Sequence, residues 1–166
     1  MTLPPEVEPL AWLLGTWRGE GRGGYPSIDD FTYVEETTFT CPGKPFVAYR
    51  QATHDPDGAP LHSESGYLRP RPGGVVEAVV AEPIGLTEVY EGTLVGERLE
   101  FVSTQIARTP SAKDIRAVRR SLRLEGDALH VRVDMEAVGH PMGFHLAAEL
   151  HRVGVDGLGV VDGLSR

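Results

Sequence analysis

Explicit chain-reversal signals recur along the whole sequence, and they limit the fold more than any other feature. HDPDGAPL at 54–61, RPRPGG at 69–74, LEGDAL at 124–129 and VGHPMG at 138–143 each supply Gly, Pro or Asp where a tight turn needs them. Between such signals lie stretches of roughly 7–11 residues with alternating or β-branched character, the pattern of short strands joined by hairpins. Strands are expected near 16–22, 31–39, 46–54, 61–69, 74–82, 86–94, 97–106, 115–125, 128–138 and 143–153, with one long loop at 21–30.

One short helix is expected. In PPEVEPLAWLLG, Val7, Leu10, Leu13 and Leu14 fall at helical spacing, Pro4 and Pro5 precede them, and Gly15 is placed to end the helix. A helix of this length is marginal alone, so its apolar stripe must pack across the mouth or base of the sheet. The expected fold class is all-β: about ten antiparallel strands in an up-and-down barrel, with a short N-terminal helix. Hairpins throughout favour a barrel over a sandwich, and a barrel of this size can enclose one small ligand. The barrel domain is expected over 1–153, followed by a Gly- and Val-rich tail at 154–166 with the character of a disordered segment.

The bulk properties exclude several classes. At 166 residues the chain suits one domain, and none of its apolar runs is long enough to span a membrane. Its N-terminus lacks a basic region followed by an apolar one, so it does not read as a signal peptide, and a soluble cytoplasmic protein is expected. A net charge of −8 is the wrong balance for neutralising nucleic-acid phosphates. The single cysteine, Cys41, permits no internal disulfide and reads as a small hydrophobe at a strand end. There is no Ser-His-Asp order, metalloprotease helix motif or phosphate loop.

The first strand carries a G-x-W-x-G-x-G arrangement formed by Gly15, Trp17, Gly19 and Gly21. Residues two apart share one face of a strand, so the glycines admit a close neighbour while the indole closes one end of a barrel. This motif resembles that of the nitrobindins, haem proteins with a barrel related to fatty-acid-binding proteins. The segments GRGGYPSIDDFTYVEETTF, GKPFVAYRQAT, PLHSESGYLR, TPSAKDIRAVRRS and HLAAELHRV extend the likeness, in order, from about residue 10 to residue 153. The link between VSTQIA and TPSAKD is short for that family, which implies a differently covered pocket.

The resemblance implies one ferric haem b per chain, held by a histidine near the end of the last strand, here His151. It implies a haem-propionate or pocket contact for Lys113, which would otherwise read as an exposed loop lysine. The implied activity is that of a haem-dependent peroxynitrite isomerase, with His151 as catalytic residue and iron ligand, peroxynitrite and nitric oxide as small-molecule partners, and neither nucleic acid nor membrane. A homodimer is left open.

The residues themselves pull against His151. Alternation over 143–153 puts Phe144, Leu146, Ala148 and Leu150 on one face and His145, Ala147, Glu149 and His151 on the other, which exposes the second set. Ala147 would leave room for a flat macrocycle, and a bulge near the strand end would re-aim His151. His145 is the rival ligand and otherwise reads as a cavity or rim residue. His54 and His140 belong to turns, and His62 and His130 lie on strands that could face the cavity. Two other readings stand beside the enzyme: a non-catalytic carrier of haem or nitric oxide, and a haem-free carrier of a fatty-acid-like molecule. The last would hold a carboxylate with interior arginines drawn from Arg116, Arg119, Arg120 and Arg132.

Overall fold

The computed structural model describes residues 2–154. Ten antiparallel strands close into one barrel in the order β1-β10-β9-β8-β7-β6-β5-β4-β3-β2. They are β1 (Gly15–Tyr25), β2 (Ile28–Thr40), β3 (Val47–His54), β4 (Pro60–Arg71), β5 (Val75–Glu82), β6 (Leu86–Val95), β7 (Arg98–Arg108), β8 (Ile115–Glu125), β9 (Ala128–Ala137) and β10 (His140–Arg152). Every sequential pair is a hairpin, and β1 pairs with β10 to remove both sheet edges. Past Gly154, the expected tail lies outside the described residues.

Two expectations need correction. The long loop at 21–30 is absent, because β1 runs on to Tyr25 and β2 starts at Ile28. Glycine-rich sequence reads as loop, yet these glycines are strand residues with large neighbours lying across them. A Cβ at Gly23 would strike the Phe31 ring, and one at Gly24 would strike the Asp30 carboxylate. The N-terminal helix is a 3-10 helix over Glu8–Leu13, and it ends at Leu14 in extended conformation before Gly15 turns into β1 at φ +126°. Pro9 inside the segment has no N–H to donate, and the bonds that form, Leu10 N–H to Val7 and Leu14 N–H to Ala11, span three residues, the 3-10 pattern.

That helix caps one end of the barrel. Val7, Leu10 and Leu13 are fully buried, each contributing on the order of 1.5–3 kcal/mol. Trp17 lies beneath them, and its indole N–H donates to the Leu13 carbonyl at 2.7 Å. The guanidinium of Arg152 stacks 4.2 Å from the Trp17 ring and donates to the Trp12 and Leu14 carbonyls. The interior beside this cap is filled by Phe39, Val47, Val76, Leu99, Leu129 and Leu150. A cavity of about 40 Å³ lies farther in, among Phe39, Tyr49, Ala78, Phe101, Arg120, Val131 and their neighbours. The helix closes this end, which leaves the opposite end for a ligand to enter.

Candidate functional site

At the uncapped end, inward-facing side chains are only half buried, so solvent reaches the barrel interior there. Phe31, Ile106, Ile115, Met135 and Leu146 form an apolar ring just outside the buried core. Two backbone irregularities shape this rim. The β1–β2 register shifts between Gly23 and Tyr25, and the β10–β9 register shifts between Phe144 and Leu146.

The second shift makes His145 a bulge residue, and a bulge inverts the alternation on one side of itself. Phe144 therefore packs outside, beneath the guanidinium groups of Arg22 and Arg132, with centroid distances of 5.1 and 5.3 Å. Leu146, Ala148 and Leu150 face inward with the core. His145 is half buried at the rim, and its Nδ1 lies 3.3 Å from the Gly24 carbonyl, in the irregular part of β1. A carbonyl can only accept, so this bond fixes the proton on Nδ1 and leaves the Nε2 lone pair free. Burial pushes the His145 pKa down, and the charges of His62, Arg120 and Lys113 add to the effect. The ring is thus held neutral in the tautomer a metal ligand requires.

Tyr25 braces the bulge. Its ring meets His145 edge to face at 5.9 Å. Its hydroxyl reaches past β10 to β9, accepting from the Ala137 N–H at 3.0 Å and lying 3.2 Å from the Met135 and Ala137 carbonyls.

His151 sits elsewhere. It is 53% exposed, with Nε2 3.4 Å from Glu149 and Nδ1 3.9 Å from Asp127. Its neighbour Leu150 points into the core, and its strand partners Arg18 and Ala128 belong to the capped end. Strand face and barrel end both differ from what the expected ligand role needs. Six residues beyond the bulge, ordinary alternation holds, so nothing turns this ring inward.

Lys113 lies exposed in the loop between β7 and β8, at the uncapped end. It makes no ion pair among the described residues, whereas its neighbours Arg108 and Arg116 are both paired with Asp114. Within the motif, Trp17 faces the capped end, and Gly19 and Gly21 share its inward face.

Below the rim lies a buried polar cluster centred on Arg120. Its Nη1 donates to Glu64 at 2.6 Å, its Nη2 to Glu88 at 2.8 Å, and its Nε to the Tyr90 hydroxyl at 2.7 Å. Glu82 lies 3.5 Å from Nη2, and Tyr49 donates to Glu64 at 3.1 Å. Burial alone would raise the pKa of Glu64, but Arg120 and His62 overcome it and hold the group down at about 2. Burial, reinforced by Glu88 and Glu64, pushes Glu82 up to about 8. Glu35, buried and accepting from Thr37 at 2.7 Å, is pushed up to about 7, chiefly by burial. Arg120 is the interior arginine among the four named from sequence, and carboxylates already saturate it. A fatty-acid headgroup would find no free cation there.

Comparison with known proteins agrees with this architecture. A family model described as a THAP4-like, heme-binding beta-barrel domain matches residues 6–152. The chain is 48% identical over 155 residues to Peroxynitrite isomerase 2 of Mycobacterium marinum, covering 90% of this chain and 96% of that one. It is 49% identical over 158 residues to Peroxynitrite isomerase of Nocardia farcinica, covering 92% and 94%. The solved structure of Rv2717c from M. tuberculosis superposes with a TM-score of 0.86 at 45% identity, over 92% of this chain and all of that one. This chain belongs to the THAP4-like haem-binding barrel family, the nitrobindins.

For a nitrobindin barrel the donor set at the uncapped end fits the prosthetic group. A neutral imidazole with a free Nε2, an apolar ring and an unpaired lysine answer to the iron, the macrocycle and the propionates of a haem. Sequence reasoning passed over the Arg120 cluster, although a signal existed. Glu64, Glu88 and Arg120 each occupy an inward position of an alternating strand, between apolar or small inward neighbours such as Gly66, Leu86 and Leu122. A concavity of about 610 Å³ lies mainly on the outer face of β4–β7, and neither His62 nor His145 lines it.

Proposed function

We propose that this nitrobindin holds a haem at the uncapped end of its barrel through His145 and isomerises peroxynitrite to nitrate there. The observation that carries the reading is the Gly24-oriented, desolvated imidazole of His145, displayed at the rim by a bulge in β10. When bound, a haem would supply a Lewis-acidic iron for the rearrangement of peroxynitrite to nitrate. The protein's own part is binding, orientation and exclusion. The Gly24 carbonyl holds the His145 proton on Nδ1, Tyr25 holds the bulge, and Phe31, Ile106, Ile115, Met135 and Leu146 keep water from the macrocycle. Lys113 pairs with a propionate at the rim. His145 is therefore the residue proposed to hold the iron, in place of His151 on the outer face.

The reading includes one haem b per chain, nitric oxide as a second small-molecule ligand, and a cytoplasmic setting. A pure carrier of haem or nitric oxide would share the site and differ only in turnover. The saturated Arg120 weighs against a fatty-acid carrier. Rapid mixing of haem-loaded protein with peroxynitrite tests the reading. Faster decay with increased nitrate yield, absent in haem-free protein, is expected. Unchanged decay and yield would contradict the enzymatic role and leave the carrier.

Among the described residues, no helix is long and apolar enough to cross a membrane.

A further inference from the structure

The proposed reaction begins and ends with an anion, while the protein carries a net charge of −8. A small anion entering such a barrel needs a local donor. Around the uncapped end, Arg108 and Arg116 are paired with Asp114, Arg120 is saturated by carboxylates, and Lys113, exposed on the β7–β8 loop, is given to a propionate. His62 remains. It lies on β4, four strands from β10 in one direction around the ring and six in the other, so the barrel places it across from His145. It is inward-facing and only 27% exposed.

His62 is set on the Arg120 cluster by one nitrogen only. Its Nε2 lies 3.6 Å from Glu64 and 3.7 Å from Glu82, which leaves Nδ1 free of these contacts. These ligand atoms of His62, Glu64 and Glu82 gather within 4.8 Å, close enough to suggest a metal site. The guanidinium of Arg120 already lies between the two carboxylates, so a cation occupies that place.

We propose that His62 is an anion-holding residue of the ligand cavity: its imidazolium donates a hydrogen bond to the anionic substrate, and then to the nitrate product, from the wall facing His145. The proposal rests on the haem reading for its catalytic meaning, though not for its geometry. Burial works against the charged ring, but Glu64 and Glu82 outweigh it and raise the His62 pKa above its usual 6.5. The groups facing it are Glu64 on its own strand, Glu82 and Glu88 on β5 and β6, Arg120 on β8, Tyr49 and Glu35 on β3 and β2, and His145 on β10. Glu35, buried and pushed up to about 7, adds little repulsion toward an incoming anion at pH 6.

Azide is the probe for the ferric haem-loaded protein, with the acid–alkaline transition followed in the same spectra. Loss of a charge-assisted hydrogen bond in His62→Leu is expected to weaken azide binding at pH 6 by roughly ten-fold or more, with the Soret spectrum of the histidine-ligated protein unchanged. His62→Gln, which keeps a neutral donor, should fall between the two. Wild-type affinity should decline as pH rises through the His62 titration, and the leucine variant should lack that decline. In haem-free protein, nitrate should shift the His62 ring resonances saturably at pH 6, and the ring should titrate above 6.5 in wild type and lower in Glu64→Gln.

Azide affinity within about two-fold of wild type in both variants, or no nitrate response at His62, overturns the proposal. Failure of the wild-type protein to take up haem overturns the haem reading instead, and the nitrate titration still decides the role of His62. A changed axial spectrum in His62→Leu would make His62 an iron ligand and contradict both assignments.

Discussion

His145 Nδ1 lies 3.3 Å from the carbonyl oxygen of Gly24, so an irregularity in one strand orients the side chain that an irregularity in its neighbour displays. The pairing needs both. Without the shift at Gly24, its carbonyl would belong to the regular ladder; without the bulge in β10, His145 would share the outward face of Ala147 and Glu149.

Tyr25 ties these features to β9, so Tyr25→Phe should act on the site without touching the ligand atom. The change removes the acceptor of the Ala137 N–H and costs about 1–3 kcal/mol of stability. Haem affinity should fall several-fold while the axial spectrum keeps its histidine signature. Denaturant unfolding and a haem titration check the two effects.

Lys113→Ala should weaken haem binding by about two- to ten-fold, with a smaller effect at high salt, because an exposed lysine–carboxylate pair is worth little and is screened. An effect independent of salt would assign Lys113 a packing role.

The Arg120 cluster should show itself in stability. Arg120→Met leaves Glu64 and Glu88 buried without their cation and should cost about 3–5 kcal/mol near neutral pH. Glu64 is held down at about 2 in the folded protein against an ordinary 4.5, so its contribution is complete above pH 4.5 and is lost as pH falls toward 2. The penalty of Arg120→Met should therefore shrink between pH 4.5 and pH 3, as denaturant curves at several pH values would show.

Glu35 carries the opposite sign. Raised to about 7 from 4.5, it binds a proton more readily in the folded state, so its contribution to stability declines as pH rises from about 4.5 to 7. Glu35→Gln keeps an acceptor for Thr37 and removes that decline. Relative to wild type, the variant should gain on the order of 2–3 kcal/mol between pH 4.5 and pH 8. A parallel pH profile for the two proteins would mean Glu35 is ionised in the fold.

Much of the fold is legible from alternation and turns. All ten strands lie where period-2 stretches and Gly, Pro or Asp reversals put them, because one buried face and one exposed face leave a direct imprint on residue order. Gly23 and Gly24 escaped this logic: their place in β1 depends on Phe31 and Asp30 lying against them from β2, a tertiary fact with no local signature. The site was hidden by the same rule that revealed the strands. Uninterrupted alternation gives His145 and His151 one face, and one extra residue at His145 separates them. Glu64, Glu88 and Arg120 are charged residues at inward positions, which alternation detects but which only their mutual pairing explains.

The most direct test is a ferric haem titration of wild type, His145→Ala and His151→Ala, followed by visible spectrum. A saturable one-to-one, histidine-ligated complex is expected for wild type and His151→Ala, with its loss or altered ligation in His145→Ala. A histidine-ligated complex that survives His145→Ala, or that disappears in His151→Ala, would contradict it.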